Sequence, residues 1–506
     1  MVSVSIEQSH AVIPREKMWL WLIILVGTAL RLYHLEAQSL WQDEGLQYFV
    51  ASAENIRAVL ERTQWRTWHP PLSFLVNHFF LLAGNSDFFL RLPSALFGIG
   101  SLPLCYVLIK RLASAPMAVF VVLVLALSPF HIWYSQEGRM YAQLLFLSLL
   151  SSVILLHALE YRQWQWWGLY ALVVAAGMLT HVLMAFGVLA HVLWLLLYHR
   201  RQLLSLIASG MVAMLLFLPW VLLFPWASRF LSTTPSLPRI HIGSASSGFS
   251  WEVLPYTFFA YSTGFSLGPS VAELHENRSL GFILQFLPLI LAVGIIVGTL
   301  LVMGIWALYK QYGARCVVFC LLGLVLPLGG AVLFSLMPRG LFNVRYTILA
   351  FPYFCTFVGS ALAVSFKKNR LVGTVAGLAV LGICVASLAN HFTNPRYAKE
   401  DIKAAVAAWR SLTPHEYLLS AVPGGVKDAM NKYLAESERG QHLALGEKSD
   451  LVSKTRKFFA THDVSSVYIL LARDWHQSRE KVLRSAFSIA DEHTYPGVKL
   501  LKVHRQ

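Results

Sequence analysis

Charge is scarce in this chain. Asp, Glu, Lys and Arg make up 13% of its 506 residues, about half the share of an ordinary soluble domain. Acids are scarcer than bases, 26 against 41. The five cysteines (Cys105, Cys316, Cys320, Cys355 and Cys384) all fall in apolar runs, with no CxxC pair and no His/Cys cluster. A disulfide framework and a structural zinc site are therefore excluded as organising features. The cysteines read as small buried apolar residues. Also missing are a Gly-rich phosphate loop, an HExxH, a Ser-His-Asp order and a GxSxG. Those absences leave no familiar signature for nucleotide binding, zinc hydrolysis or serine hydrolysis. There is no internal repeat or low-complexity segment.

Apolar residues are abundant, at 56%. Runs of spanning length are Met18–Leu35, Leu92–Ile109, Met117–Trp133, Tyr141–Leu159, Trp166–Thr180, Val182–Tyr198, Leu203–Phe224, Gly281–Leu308, Cys316–Leu336, Tyr346–Phe366 and Leu371–Leu388, eleven in all. A helix needs ~20 residues to cross a bilayer. Much of the net charge of +15 is gathered in alternate connections: Arg15/Lys17, Lys110/Arg111, Arg162, His199/Arg200/Arg201, Lys310/Arg315 and Lys367/Lys368/Arg370. The positive-inside rule puts these in the cytoplasm, with the N-terminus inside and the C-terminus outside. Anionic lipid head groups, or an anionic lipid-linked substrate, are then the expected partners, and nucleic acid is not. Arg15 and Lys17 before the first run resemble a signal peptide, but no small-x-small cleavage site follows, so an uncleaved anchor is expected. Pro71–Gly84 is too short to span and reads as an amphipathic helix on the outer surface.

The predicted fold class is an α-helical polytopic membrane protein of about eleven transmembrane helices over residues 1–393, whose first outward connection is 36–91. From about Asn394 the chain turns polar. Tyr417–Val422 and Val464–Leu471 read as strands, and Lys399–Ser411, Val426–Ala435, Lys448–Thr461 and Ser478–Phe487 as helices. A small extramembrane α/β domain over 394–506 is expected.

The unusual polar residues collect on the outward side. The adjacent pair Asp43 and Glu44 follows the first run. Carboxylates kept beside hydrocarbon are functional candidates, and burial can tune one toward general-base work. The bland reading is a helix cap before Gly45. His69 is held rigidly by Pro70 and Pro71, as a ligand for phosphate, sugar or metal, or as a surface histidine. Glu137, Arg139 and Tyr141 share the second outward connection, and Arg139 offers a planar fork that suits phosphate. Arg345 and Tyr346, with Arg339 near, open a late span. Arg91 ends the first connection, and His181 ends a helix. Trp226, Trp251, Tyr256, Phe258, Phe259, Tyr261 and Phe265 form an aromatic belt or a stacking surface.

Taken in order, Trp41-x-Asp43-Glu44, His69-Pro70-Pro71-Leu72, Arg91-Leu92-Pro93-Ser94-Ala95-Leu96, Ser135-Gln136-Glu137-x-Arg139-Met140-Tyr141-Ala142 and Arg345-Tyr346 resemble the bacterial family 39-type glycosyltransferases. This is the branch similar to protein O-mannosyltransferases and to the aminoarabinose transferase that modifies lipid A. The resemblance covers about residues 1–400. It implies a GT-C-like fold, a bacterial inner-membrane enzyme with a periplasmic site, and a polyprenyl-phosphate-linked sugar donor such as an undecaprenyl-phosphate sugar. It also implies that Asp43, with Glu44 second, activates the acceptor, and that Arg139 holds the donor phosphate. Relatives often carry a lysine at the di-proline motif, where this chain has His69. A divalent metal is reported for some relatives, and no cofactor is certain. The acceptor is a lipid, glycan or protein. Two other readings are a transporter or flippase of the same lipid-linked sugar, and a non-catalytic assembly subunit. A transporter places its polar residues near the midplane of repeated, broken helices.

Overall fold

A computed structural model of the protein describes residues 15–67, 69–223, 251–277, 279–336, 342–412, 416–439, 441–445 and 451–505. Arg339, Trp226 and Trp68 lie outside the described residues. The chain begins with α1 (Arg15–Leu32), and three short helices, α2 (Gln42–Ala51), α3 (Ile56–Arg66) and α4 (Leu72–Ala83), fill the first connection. The bundle continues through α5 (Asp87–Leu112), α6 (Ala115–Leu127), α7 (Pro129–Ser135), α8 (Tyr141–Tyr161), α9 (Trp164–Thr180), α10 (Met184–Tyr198) and α11 (Leu203–Leu223). After α12 (Val253–Thr263), α13 (Val271–Glu276) and α14 (Leu280–Leu284) come α15 (Leu287–Leu336), the 3-10 turn Val344–Ala350, α16 (Phe351–Lys368) and α17 (Arg370–Thr393).

Among the described residues the apolar runs are largely helical, yet six helices there are long and apolar enough to cross a membrane, or seven if the bent pair α6–α7 is one span. The expected eleven is not reached on length and composition. α1 carries Arg15, Glu16, Lys17 and Arg31 in 18 residues. α10, with 15 residues, is only about 22 Å long. The 50-residue α15 would measure about 75 Å if straight, far more than one crossing. It breaks at Gly313, whose φ of 77° is open to glycine without strain. α6 and α7 meet at 61°. Pro129 has no N–H to give the Leu125 carbonyl. The buried Arg31 guanidinium donates to it instead, 3.1 Å away, and to Ala126 O at 3.0 Å.

Charged connections gather at the ends of the bundle. Arg111 pairs with Glu160, and its guanidinium reaches His157 at 2.7 Å. Arg315 meets His199. Those loops are ones that sequence placed on a single side. α4 is amphipathic in the reverse sense to a surface helix. Asn77 and His78 are buried, bonded to Leu90 O at 2.6 Å and Ala51 O at 2.9 Å, while Phe79 and Leu82 are exposed. One polar cluster was not foreseen: Ser152, Tyr170, His191 and Tyr353 are hydrogen-bonded inside the helices, with Tyr170–His191 at 2.9 Å and Ser152–His191 at 3.0 Å.

The tail carries α18 (Ile402–Leu412), β1 (Leu418–Ala421), α19 (Gly424–Tyr433), α20 (Glu436–Arg439), β2 (His442–Ala444), α21 (Leu451–His462), β3 (Ser466–Ala472), α22 (Ser478–Ala486), β4 (Ser488–Tyr495) and β5 (Val498–His504). The sheet order is β2-β1-β3-β5-β4, with β1 parallel to β2 and β3, and β5 antiparallel to β3 and β4. β3 is buried on both faces, as the centre of such a sheet should be. Its residues alternate, Val467, Ile469 and Leu471 in one core, Tyr468, Leu470 and Ala472 in the other. That second core also holds Leu40 and Leu90 of the first connection.

The seam between α2 and α19 is close backbone packing. A Cβ on Gly45 would run into the Gly425 carbonyl and stand 2.7 Å from Ala429 N. Arg66 pairs with Asp428, Tyr433 OH donates to Asp87 at 2.9 Å, and Leu40 N–H donates to Tyr433 at 2.8 Å. Gly45→Leu should force the seam apart at a cost of about 2 kcal/mol or more. The expected result is faster tryptic release of the tail from detergent-solubilised protein, while an exposed control, Ile56→Leu, behaves as wild type.

Candidate active site

α2 begins immediately after Trp41, and its first turn presents Asp43 and Glu44. Neighbouring helix positions point about 100° apart, so the two acids face different surroundings. Glu44 is fully buried against α5. Arg91 grips it bidentately, Nε to Oε1 at 2.8 Å and Nη2 to Oε2 at 2.7 Å. The Gly138 N–H donates to Oε1 at 2.8 Å, and Lys399 Nζ lies 3.7 Å from Oε2. Burial raises the Glu44 pKa, but Arg91 and Lys399 outweigh it and bring it to about 2. Arg91 is spent in turn on Leu35 O, Gln38 O and Ser39 O at 2.8–3.0 Å. Both residues were expected at the ligand. The structure engages them with each other and with backbone instead, so they fix the loop.

Asp43 faces the other way. Its carboxylate pairs with Arg345, and about a fifth of its side chain stays accessible. Burial works to raise its pKa, but Arg345 and then Arg139 prevail and hold it below the ordinary value. Arg139 donates to Asp43 O at 3.3 Å and to Gln47 Oε1 at 3.0 Å. The Arg345 guanidinium lies over Trp41 at 6.0 Å and over Tyr141 and Tyr346 at 5.6 Å each. His181 stands between these rings, 6.3 Å from Tyr141, 6.1 Å from Tyr346 and 5.2 Å from His69. Asp43, His69, Arg139, Tyr141, His181, Arg345 and Tyr346 thus fall in one connected cluster, drawn from the connections after α1, α7, α9 and α15.

Burial, then the two arginines, push His181 down to about 3 and His69 well below the usual imidazole range. Both rings are neutral near pH 7. The Leu183 N–H donates to His181 Nδ1 at 3.2 Å, which puts the proton on Nε2. That Nε2 has no partner. Nor do Trp41 Nε1, Arg139 Nε, Tyr141 OH, Arg345 Nε and Glu137 Oε1, all of them buried. Native proteins rarely leave so many buried polar atoms unmatched in one place. Five of the six are donors, and donors ringed by arginines suit an anion. Among the described residues no three His, Cys, Asp or Glu side chains stand close enough to hold a metal. His69 and His181 approach each other, but Asp43 is tied to Arg345, so these residues do not fit a divalent ion.

Two contributors were missed. Lys399, between α17 and α18, lies 3.8 Å from Glu137 Oε2 and over Trp41 and Trp133 at 5.6 and 5.2 Å. Nothing in its local sequence marks it. Gln47 follows Asp43 by four residues on one helix face, a spacing that was available as a signal. A cavity of about 710 Å³ opens between α2, α4 and α19, lined by Phe49, Leu81, Leu82, Asp428, Lys432 and Arg439 among others.

The two acids should separate by experiment. Glu44→Ala strands Arg91 and should cost about 3 to 5 kcal/mol, whereas Asp43→Asn at its accessible position should leave the melting temperature nearly unchanged. Glu44 has a depressed folded-state pKa, so its stabilisation is present above its ordinary 4.5 and is lost as pH falls toward about 2. Thermal melts of both variants between those pH values check both statements.

Residues 68–224 match the family described as Dolichyl-phosphate-mannose-protein mannosyltransferase. YycA of Bacillus subtilis (strain 168), whose name assigns it provisionally to the mannosyltransferases, is 26% identical over 244 residues, 46% of this chain and 34% of its own length. The chain therefore matches about a third of that relative. Among solved structures, ArnT from Cupriavidus metallidurans bound to undecaprenyl phosphate is 16% identical with a TM-score of 0.57, over 96% of this chain and 98% of that one. Its apo state gives 15% and 0.58, over 97% and 98%. The oligosaccharyltransferase AglB from Archaeoglobus fulgidus, in complex with an inhibitory peptide and a dolichol-phosphate, is 12% identical with a TM-score of 0.50, over 90% and 69%. Residues 68–224 are thus similar in sequence to the mannosyltransferase family, and nearly the whole chain is similar in fold to ArnT.

Proposed function

We propose that the protein transfers a sugar from an undecaprenyl-phosphate carrier to an acceptor hydroxyl or amine on a lipid, glycan or protein, with inversion at the anomeric carbon. The reaction belongs at the periplasmic face of a bacterial inner membrane, in a bundle with its N-terminus inside. The observation that carries this reading is the group of unpartnered buried donors around Asp43, between Arg139 and Arg345. A lipid-linked donor also accounts for a chain without a nucleotide-binding motif. The undecaprenyl phosphate bound to ArnT and the dolichol-phosphate bound to AglB support the same chemistry.

In this mechanism Asp43 is the base. It takes the acceptor proton as the acceptor oxygen or nitrogen attacks the anomeric carbon. The carbon–oxygen bond to phosphate breaks, and its electron pair stays on the phosphate. The departing phosphate gains charge as it leaves, and Arg139 and Arg345 stabilise that growth most strongly in the transition state. The Asp43–Arg345 pair gives this arrangement a switch. While Arg345 is held by Asp43 alone, the carboxylate is a weak base. Once a donor phosphate shares that guanidinium, the basicity of Asp43 rises where it is needed. His181 Nε2–H and Tyr141 OH supply neutral donors to phosphate or sugar oxygens. Glu44 and Arg91 act through their hold on the loop.

A transfer assay with undecaprenyl-phosphate sugars and membrane acceptors tests the reading. Asp43→Asn should lower kcat by about a hundredfold or more, with donor binding retained. Arg139→Ala and Arg345→Ala should each weaken undecaprenyl phosphate binding by about tenfold or more. Equal product from wild type and Asp43→Asn would remove the base. It would also favour a transporter or an assembly subunit.

A further inference from the structure

Glu137 poses a physical problem that neighbouring loops do not solve. It is buried, one carboxylate oxygen has no hydrogen-bond partner among the described residues, and the other lies 3.8 Å from Lys399. Glu44, equally buried, approaches the same ammonium from a different segment. Two carboxylates sharing one burial site repel, and each favours protonation of the other unless a cation stands between them. Lys399 stands between them, 3.7 Å from one and 3.8 Å from the other. Its ammonium is seated on the faces of Trp41 and Trp133. Around it lies a cavity of about 40 Å³, lined also by Arg91, Gln136 and His391, with room for water but not for substrate.

The position of Lys399 in the chain gives the contact its meaning. It leaves the bundle at the end of α17 and comes just before α18, which packs in the tail core. The tail is anchored on the first connection through Tyr433 and Asp87, Lys403 N–H and Ser39 Oγ at 3.1 Å, and Arg66 and Asp428. Glu137 begins the short turn whose backbone ends at Arg139, with Arg139 N–H donating to Glu137 O at 2.7 Å.

We propose that Lys399 is a positioning residue: it clamps Glu44 and Glu137 together from the tail side and so holds the 137–139 turn with Arg139 aimed at the donor phosphate. The tail thereby forms one wall of the site. This rests on the transferase reading for its consequence but not for its geometry. The groups that face Glu137 are Lys399, Glu44, Asp43, Arg345 and Tyr134, and those that face Lys399 include Glu44, Glu137 and His391. Burial already raises the Glu137 pKa, and Lys399 is the leading force against it. Removing the ammonium moves the proton uptake of Glu137 to higher pH.

The experiment is undecaprenyl phosphate binding to full-length protein in detergent as a function of pH, from the ordinary carboxylate range upward, for wild type, Lys399→Met and Lys399→Arg. Lys399→Met should bind about tenfold or more weakly at neutral pH. Its pH profile should shift upward on the acid side, and Lys399→Arg should restore most of both. In the transfer assay the same change should appear as a higher donor KM with a smaller effect on kcat. A Lys399→Met profile that superimposes on wild type overturns the proposal. So does an affinity loss with an unshifted profile that Lys399→Arg fails to restore, since that is the behaviour of a packing residue. Binding is read without turnover, so an inactive wild type would count against the transferase reading and leave this test standing.

Discussion

The arrangement depends on one buried ion pair. Glu44 and Arg91 are both out of reach of water, and neither charge is tolerable there without the other. Together they tie the start of α2 to the start of α5 and satisfy three carbonyls of the connecting loop. The Gly138 amide joins the same carboxylate, so the second connection is fixed to the first. Asp43 is adjacent in the chain and inherits its position from this pair. Its direction follows from helix geometry, which turns it away from α5 and toward Arg345. One acid is thus sacrificed to structure so that its neighbour can remain available.

A second constraint follows from the tail. Its sheet could bury one face on its own helices, but the other core includes Leu40 and Leu90 of the first connection. The contact at Gly45 and Gly425 permits that approach, because side chains there would hold the backbones apart. The site is therefore composite. The membrane bundle supplies Asp43, Arg139, His181 and Arg345, and the chain entering the tail supplies Lys399. The aromatic rings of Trp41, Tyr141 and Tyr346 restrict Arg345 without neutralising it, and Asp43 is its charged partner.

Much of the bundle was legible because apolar runs and the alternation of basic loops are strong signals. The span count was less legible, since α1 mixes charge with apolar residues and α15 hides its break at a single glycine. β1 and β3 were readable as apolar runs, and β5 was not, because Val498–His504 mixes Lys499, Lys502 and His504 with its apolar residues. β4 was not, because Ser488–Tyr495 alternates exposure and is rich in polar residues at the sheet edge. The site residues could be read as a set, but the roles of Asp43 and Glu44 could not, since adjacent identical chemistry gives no hint of which side faces α5. Lys399 was invisible for a different reason: a lone lysine in a polar linker acquires its meaning only from partners hundreds of residues away. α4 was readable as a short amphipathic helix, but not that its polar residues Asn77 and His78 turn inward to bond Leu90 O and Ala51 O.

The central claim is that a lipid phosphate sits between Arg139 and Arg345 beside Asp43. An experimental structure of the protein with undecaprenyl phosphate bound tests it most directly. The account predicts the phosphate oxygens within hydrogen-bond distance of both guanidiniums, with the Asp43–Arg345 contact loosened. Phosphate density elsewhere on the bundle, with that contact intact and the donors around Asp43 still unmatched, would contradict it.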